Sequence, residues 1–379
     1  MNMKLNLFNL GKRFLNLTKS IKKDFSLKSL KIKPVLIPSV MMGTYFFFSQ
    51  KKMFNSQSLY SKENFRKFYL EGSDTLQEGE MKEVKWGTKE NQSILVVKYG
   101  GKLRAMSNYC PHFGAPLHTG ILVDNVVKCP WHGASFDVTT GKTDISPSIN
   151  DLTYYEVNED GQGFYVNLPE DVKSSVTPIM CKRDLSDKRK FIIVGGGPAG
   201  LSAAETLRQN GYTGEIVILS KDQYVPYDRT MLTKWIPPTV NKIYLRSPDF
   251  LKEYDIDVLN GVSVESVDNR NKKVKLADGS EVSYDKLLLA TGGSAAVPRI
   301  PGTEKSHVHV LRTFDDLKKI DLACKDAKDI VIVGASFLGM ESASVLKKSF
   351  GNSKVTVIEK NSTPFATTLG KEVGLALQK

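Results

Sequence analysis

Two stretches decide the fold of the first half of the chain: Cys110-Pro111-His112-Phe113-Gly114-Ala115-Pro116-Leu117 and Cys129-Pro130-Trp131-His132-Gly133-Ala134-Ser135-Phe136-Asp137. Each offers one thiolate and one imidazole, spaced C-x-H in the first and C-x-x-H in the second. Turn-forming Pro111, Gly114, Pro130 and Gly133 flank them. Two Cys and two His can close one tetrahedral zinc site. They can also serve a two-iron cluster in which one iron keeps two soft thiolates and the other takes two imidazoles. Zinc knuckles usually place two Cys in one loop, so one Cys and one His on each of two loops favours iron.

Working outward, the neighbouring sequence reads as short strands broken by turn signals. Ser93–Tyr99 runs into Gly100-Gly101, and Leu103–Asn108 follows. Val126–Cys129, Ser135–Val138 and Tyr154–Val157 come later, before Gly161 and Gly163. This is an all-β pattern of about a hundred residues. With its two loops it resembles a Rieske ferredoxin-type domain, placed at residues 61–172. The resemblance implies a [2Fe–2S] cluster on Cys110, His112, Cys129 and His132. Respiratory-chain Rieske proteins add one Cys to each loop and join the loops by a disulfide; here Gly114 or Ala115 and Trp131 stand at those positions. Their second loop also supplies Ser and Tyr hydroxyls to the cluster sulfurs, where this chain has Ala134 and Phe136. Fewer donors stabilise the reduced state less, which points to a ferredoxin-like carrier of low potential.

A Ser-, Lys- and Asp-rich stretch, Asp171–Lys190, reads as a linker centred on residues 173–187. Beyond it comes a strand at Phe191–Val194, then Gly195-Gly196-Gly197-Pro198-Ala199-Gly200, a helix through Arg208 and a strand at Glu215–Leu219. Glycines at that spacing permit a tight turn and bring backbone N–H groups and a helix N-terminus to a pyrophosphate. GxGxxG alone is a weak signal, and the strand-turn-helix-strand context strengthens it. Tyr224–Lys234 (YVPYDRTMLTK) resembles the segment that apoptosis-inducing-factor-like and dioxygenase-system ferredoxin reductases place beside the isoalloxazine. Tyr284–Gly293 (YDKLLLATGG) is similar to their second flavin signature, and Arg312 in VLRTFDDL to another flavin-contacting arginine. The resemblance implies FAD held by Gly195, Gly197, Pro198, Ala199, Gly200, Arg229, Lys234, Thr291, Gly292 and Arg312 within residues 188–312. The alternative for Arg229 and Lys234 is a solvated basic surface. The acid that usually holds the flavin ribose falls at Lys221, so either Asp222 takes the ribose by a one-residue shift or flavin affinity is lowered. No Cys pair adjoins the flavin segment, and Cys181 and Cys324 stand alone. That excludes a disulfide reductase of the glutathione-reductase kind, which must relay electrons through a dithiol.

A third unit begins at Asp329–Val333, continues with Gly334-Ala335-Ser336-Phe337-Leu338-Gly339 and a helix to about Ser349, and ends a second strand, Lys354–Ile358, on Glu359. An acid there suits the free 2′-hydroxyl of NAD and repels the 2′-phosphate of NADP. NAD(H) is therefore expected on Gly334, Phe337, Leu338, Gly339 and Glu359, with Ser336 crowding the pyrophosphate where a glycine is usual. Glu341 resembles the family glutamate near the nicotinamide. Joined to the Rieske domain, residues 188–379 resemble the Rieske-bearing, third-type branch of the apoptosis-inducing-factor-like family. In that family the NAD domain, here residues 313–379, continues into returning flavin-domain strands and a C-terminal domain. The expectation is a fragment, a truncated reading frame or an inactive remnant, binding flavin weakly.

The formal charge of +12 is concentrated in residues 1–60, where eleven Lys and Arg face only Asp24, leaving about +2 for the rest. A nucleic-acid binder is thus the weakest reading. Residues 1–33 suit a basic amphipathic mitochondrial leader. Alternatives are a disordered tail in a cytoplasmic protein, or membrane association through the apolar run Val35–Phe48, which is short for a span. Four cysteines make no disulfide framework, consistent with a reducing compartment. The expected architecture is multidomain: an all-β Rieske domain followed by α/β Rossmann-like FAD- and NAD-binding domains. The expected function is an NADH oxidoreductase passing electrons through FAD and the cluster to an unknown acceptor. A non-enzymatic redox-responsive cell-death or signalling protein is the alternative.

Ala134→Ser and Phe136→Tyr should each raise the cluster potential by about 40 mV, the equivalent of one hydrogen bond of about 1 kcal/mol on a one-electron couple. Redox titration followed by EPR measures this, and a wild-type value near the top of the Rieske range, about +300 mV, would refute it.

Overall fold

The computed structural model describes residues 65–88, 92–234 and 236–378; the leader and anchor readings of residues 1–60 lie outside them. The chain opens with thirteen strands: β1 Phe65–Tyr69, β2 Met81–Lys85, β3 Ser93–Tyr99, β4 Lys102–Ser107, β5 Ile121–Val123, β6 Val126–Lys128, β7 Ser135–Asp137, β8 Thr143–Ile145, β9 Asp151–Leu152, β10 Tyr154–Tyr155, β11 Asn158–Asp160, β12 Gly163–Pro169 and β13 Ser175–Val176. They form antiparallel sheets ordered β10-β4-β3-β2, β1-β12-β11, β5-β6-β7-β8 and β13-β9.

Strand β3 explains why its sequence is apolar without alternation. Its side chains point to opposite faces in turn, and both faces are covered. Ile94 and Val96 join Leu70, Ala105, Val166 and Leu168 in one core. Leu95 and Val97 join Met106, Leu117, Val127 and Phe136 in the other, which also contains Cys110 and Cys129. The cluster loops therefore sit on a sheet buried on both sides.

The second part is doubly wound. Strands β14 Lys190–Val194, β15 Glu215–Ser220, β16 Ile256–Asn260 and β20 Lys286–Leu289 form a parallel sheet ordered β16-β15-β14-β20. Helix α1, Pro198–Gln209, crosses between β14 and β15, and α2 is Pro248–Glu253. One face packs Ile193, Ile216 and Ile218 on Leu201 and Ala204 of α1. The other packs Ile192, Val194, Val217 and Leu219 on Val274 and Leu276 of the meander β17 Val264–Asp268, β18 Lys273–Leu276 and β19 Glu281–Ser283. Helix α3, Phe314–Cys324, starts at a capping box in which Thr313 and Asp316 bond each other's backbone N–H. Strands β21 Asp329–Val333 and β22 Lys354–Ile358 pair in parallel around α4, Phe337–Ser349, and α5 is Lys371–Leu377. Val331, Val333 and Ile358 of that pair are exposed.

The Asp171–Lys190 stretch differs from a free linker. Ser175 and Val176 pair with β9. Cys181 N–H donates to Arg208 O, Asp184 N–H to Thr213 O, and Arg183 bonds Glu215 and Asp255. Its polar composition reflects backbone and ion-pair anchoring on the second domain, which composition alone reads as solvation.

Arg208 closes this anchorage. Its side chain is fully buried and donates to the carbonyls of Tyr212, Gly214, Tyr254 and Asp255. Arg208→Ala removes a donor from all four carbonyls, of which Tyr212 O keeps only the Cys181 thiol, and should destabilise the fold by about 3 kcal/mol, read as a lowered urea midpoint at unchanged slope.

Candidate functional site

The two cluster loops are the same turn written twice. Cys110 N–H donates to Ala115 O at 2.9 Å and Gly114 N–H to Cys110 O at 2.8 Å; Cys129 N–H donates to Ala134 O at 2.8 Å and Gly133 N–H to Cys129 O at 3.2 Å. The fourth residue after each Cys has a left-handed backbone, Gly114 at φ +75° and Gly133 at φ +74°, which glycine adopts without strain. The shared pattern is Cys-Pro-x-x-Gly-Ala, with His second after Cys in one loop and third in the other. Asn108 braces the first loop: its carbonyl accepts from Leu117 N–H and its side chain bonds Ser93, Glu83 and His118.

This geometry sorts the four donors into pairs. Cys110 and Cys129, 3% and 4% exposed, meet through their thiols. His112 and His132 have ring centroids 4.9 Å apart. Thiol thus pairs with thiol and imidazole with imidazole, the division of ligands that a two-iron cluster of this kind uses. Burial, reinforced by the neighbouring Cys129, pushes the Cys110 thiol up to about 11, although the His112 and Phe113 N–H groups act against it. Burial and the His132 ring together hold His112 below the usual imidazole range. His112 Nδ1 is buried with no hydrogen-bond partner. Two desolvated thiols and an orphaned imidazole nitrogen fit a metal cluster that takes sulfur as thiolate and nitrogen as neutral donor. Ala134 and Phe136 are fully buried in the core beneath the loops.

The flavin segment is knotted around Tyr227, which sequence reasoning quoted without assigning a role. Its hydroxyl donates to Asp222 Oδ2 at 3.0 Å and accepts from Arg229 Nη1 at 2.9 Å and Phe314 N–H at 3.0 Å. Burial pushes this phenol up to about 12. Arg229 also pairs with Asp222 and donates to Arg312 O at 2.9 Å. It is therefore a fixed, half-buried cation and not a solvated surface charge. Asp222 Oδ2 is engaged by Arg229 and Tyr227, which ties this acid to the arginine. Arg312 Nε donates to Gly293 O at 3.0 Å, so it lies against the Thr291-Gly292 loop, and Asp316 of the capping box holds its N–H.

Lys234 Nζ pairs with Glu341 Oε2 at 2.9 Å, and the Thr233 hydroxyl donates to the same carboxylate. Burial tends to raise Glu341, but Thr233 and Lys234 outweigh it and the carboxyl is held below its usual range. The flavin segment and the third unit thus meet at this pair. Thr233 was not assigned from sequence; its only signal is adjacency to Lys234.

Both glycine-rich loops show why glycine is needed. A Cβ on Gly200 would lie 2.1 Å from Gly195 O, and one on Gly339 would lie 1.9 Å from Gly334 O. Gly195 and Gly334 have φ +124° and +104°. Pro198 and Ala199 open α1 behind Gly197, and Phe337 and Leu338 open α4 behind Ser336. Ser336 caps α4 at φ −94°, close to Gly197 at −100°, so the serine distorts nothing in the backbone. Glu359 accepts from Ala335 N–H at 2.8 Å, placing an acid against the loop that would carry the NAD pyrophosphate. Loop N–H groups and helix N-termini fit phosphates at both loops.

Comparison with known proteins identifies two families in the chain. The pyridine nucleotide-disulphide oxidoreductase family matches residues 189–379, and the Rieske [2Fe-2S] domain family matches residues 67–156. Apoptosis-inducing factor 3 of Homo sapiens is 37% identical over 80% of this chain and 50% of its own length. The ferredoxin--NAD(+) reductase subunit of the benzene 1,2-dioxygenase system of Pseudomonas putida is 33% identical over 49% of this chain and 45% of its own. A solved NADH:rubredoxin oxidoreductase from Clostridium acetobutylicum is 28% identical, with TM-score 0.46 over 50% of each chain. The chain spans about half the length of these curated relatives. The cofactors of the two matched families are a [2Fe–2S] cluster, FAD and NAD(H). Cys181 donates to Tyr212 O and Cys324 is buried, and neither is paired in a disulfide.

His112→Ala and His132→Ala should each abolish the two-histidine EPR signal of the reduced cluster, because imidazole on the second iron defines it. Zinc in place of iron by metal analysis of the wild-type protein would overturn the assignment.

Proposed function

We propose that this chain, which belongs to the pyridine nucleotide-disulphide oxidoreductase family, moves electrons from NADH through FAD to its own Rieske cluster and onward to a one-electron protein acceptor. The observation that carries the reading is adjacency. The flavin and Rieske domains are in direct contact, Arg246 donating to Asn150 Oδ1 at 2.7 Å and to Ile149 O at 2.8 Å. The Pseudomonas putida relative is a ferredoxin--NAD(+) reductase subunit; here a ferredoxin-type domain is part of the same chain and takes the place of a separate carrier.

FAD, when bound, supplies the conversion of a two-electron donor into single electrons, which a [2Fe–2S] cluster accepts one at a time. The chain's own residues bind, orient and tune. Gly195, Gly197 and Gly200 with the start of α1 receive the flavin pyrophosphate, and Gly334 and Gly339 with the start of α4 receive that of NADH. Arg229, held by Asp222, Tyr227 and Arg312 O, presents a cation whose orientation is set before the flavin arrives. Lys234 is aligned by Glu341, at the junction where nicotinamide and flavin meet. Glu359 favours NADH, since its carboxylate repels a 2′-phosphate. Hydride transfer needs no side-chain acid or base, and none is assigned. Among the described residues no helix is long and apolar enough to cross a membrane. The basic leader in residues 1–60 supports mitochondrial import as the reading of that segment.

The test is a single anaerobic turnover of the chain with iron reconstituted and FAD in excess. One equivalent of NADH should bleach the flavin and then develop the Rieske EPR signal, with NADPH at least about tenfold less effective, the ~1.4 kcal/mol expected of one repelled charge. Glu359→Ala should narrow that preference. A cluster that stays oxidised while the flavin is reduced would sink the proposal.

A further inference from the structure

The cluster-bearing sheet and the flavin domain share one buried guanidinium. Arg246 precedes α2 on the flavin side, and its side chain is 7% exposed beside Glu205 of α1 at 5%. Nε donates to Glu205 Oε1 and Nη2 to Oε2, both at 2.9 Å. The rest of the fork crosses to the Rieske domain: Nη1 donates to Asn150 Oδ1 at 2.7 Å and Nη2 to Ile149 O at 2.8 Å. Phe250 backs the guanidinium at 4.4 Å.

Removing two charges from water costs several kcal/mol per ion, and the pair recovers this only when geometry is good and the remaining donors are satisfied. Here Glu205 satisfies only part of the fork. The acceptors that complete it belong to the other domain, so separating the domains leaves buried donors unpaired. The receiving loop is itself stiff. Asn150 O accepts from the Thr143 and Ser148 hydroxyls, each at 2.7 Å, and Asp151 accepts from Thr143 N–H at 2.8 Å. Thr143 opens β8, which pairs with β7, the strand that follows the Cys129 loop.

We propose that Arg246 is a positioning residue that latches the cluster-bearing sheet onto the flavin domain, making the Rieske domain a fixed internal electron acceptor instead of a tethered mobile carrier. The proposal rests on the electron path given above. A mobile carrier gains nothing from a desolvated ion pair at its docking face, whereas electron transfer over a set separation does, because its rate falls steeply with distance.

The latch is tested in the full chain with Asn150→Ala, which removes the side-chain acceptor of the two that cross and leaves the Ile149 carbonyl and the Arg246–Glu205 pair, with Arg246→Gln, which removes the whole fork, and with Asn150→Asp, which keeps an oxygen at the same reach. Two readouts are used: the solution-scattering radius of gyration, and the rate of cluster reduction after flash photoreduction of the flavin. Asn150→Ala and Arg246→Gln should enlarge the radius and slow the rate by about tenfold or more, with flavin content, cluster EPR and both potentials unchanged and with Asn150→Asp behaving as wild type. An unchanged radius and rate in Asn150→Ala overturns the latch, even if Arg246→Gln fails to fold. Wild-type flavin that never reduces the cluster overturns the electron path instead, and the radius then decides the latch by itself.

Discussion

The first half of the chain is built around buried sulfur and nitrogen donors, of which His112 Nδ1 has no hydrogen-bond partner. Cys110 and Cys129 face each other in a core of Leu95, Val97, Leu117 and Phe136, and His112 Nδ1 is shut away from solvent without a hydrogen bond. Such groups are costly to bury alone and become favourable once a cluster takes them as ligands, so metal binding and folding of these loops are one process. The duplicated turn gives both loops the same backbone. Each loop closes two backbone hydrogen bonds around a left-handed glycine. What differs between the loops is only the position of the histidine, which brings both imidazoles to one side.

The flavin segment solves a related problem with charge. Arg229 is held among Asp222, Tyr227 and the Arg312 carbonyl, and Tyr227 bonds the first residue of α3 as well. One phenol therefore ties the flavin segment, the end of β15 and the start of α3 into a single knot. Its burial, which lifts the phenol to about 12, keeps the hydroxyl protonated and able to donate to Asp222. The family match without a dithiol fits this design. Cys181 and Cys324, the two cysteines outside the cluster loops, lie apart from each other and from the flavin segment.

The stretch between the domains shows how composition can mislead. Asp171–Lys190 is rich in residues that favour solvated chain, yet Ser175 and Val176 add to a sheet and Cys181, Arg183 and Asp184 are bonded to the flavin domain. Polar residues satisfied by another domain's backbone are indistinguishable in sequence from polar residues satisfied by water.

Local features were legible in the sequence because local chemistry sets them. Strands Ser93–Tyr99, Asp329–Val333 and Lys354–Ile358 match their apolar runs residue for residue. The glycines at 195, 200 and 339 stand where a Cβ would come within about 2 Å of a backbone oxygen, and Gly334 has a left-handed backbone at φ +104°, demands met by the residue without a Cβ. The four expected metal donors could be named from loop spacing, but their sorting into a thiol pair and an imidazole pair could not. That sorting depends on how two hairpins face each other. The same holds for Lys234 with Glu341, 107 residues apart, and for Arg246 with Asn150, 96 apart. Spacing rules follow from the geometry of one turn or one strand. Contacts between elements depend on how sheets pack, and in this chain only the tertiary structure decided which charges are buried, which acid holds Arg229 and which side chain joins the two domains.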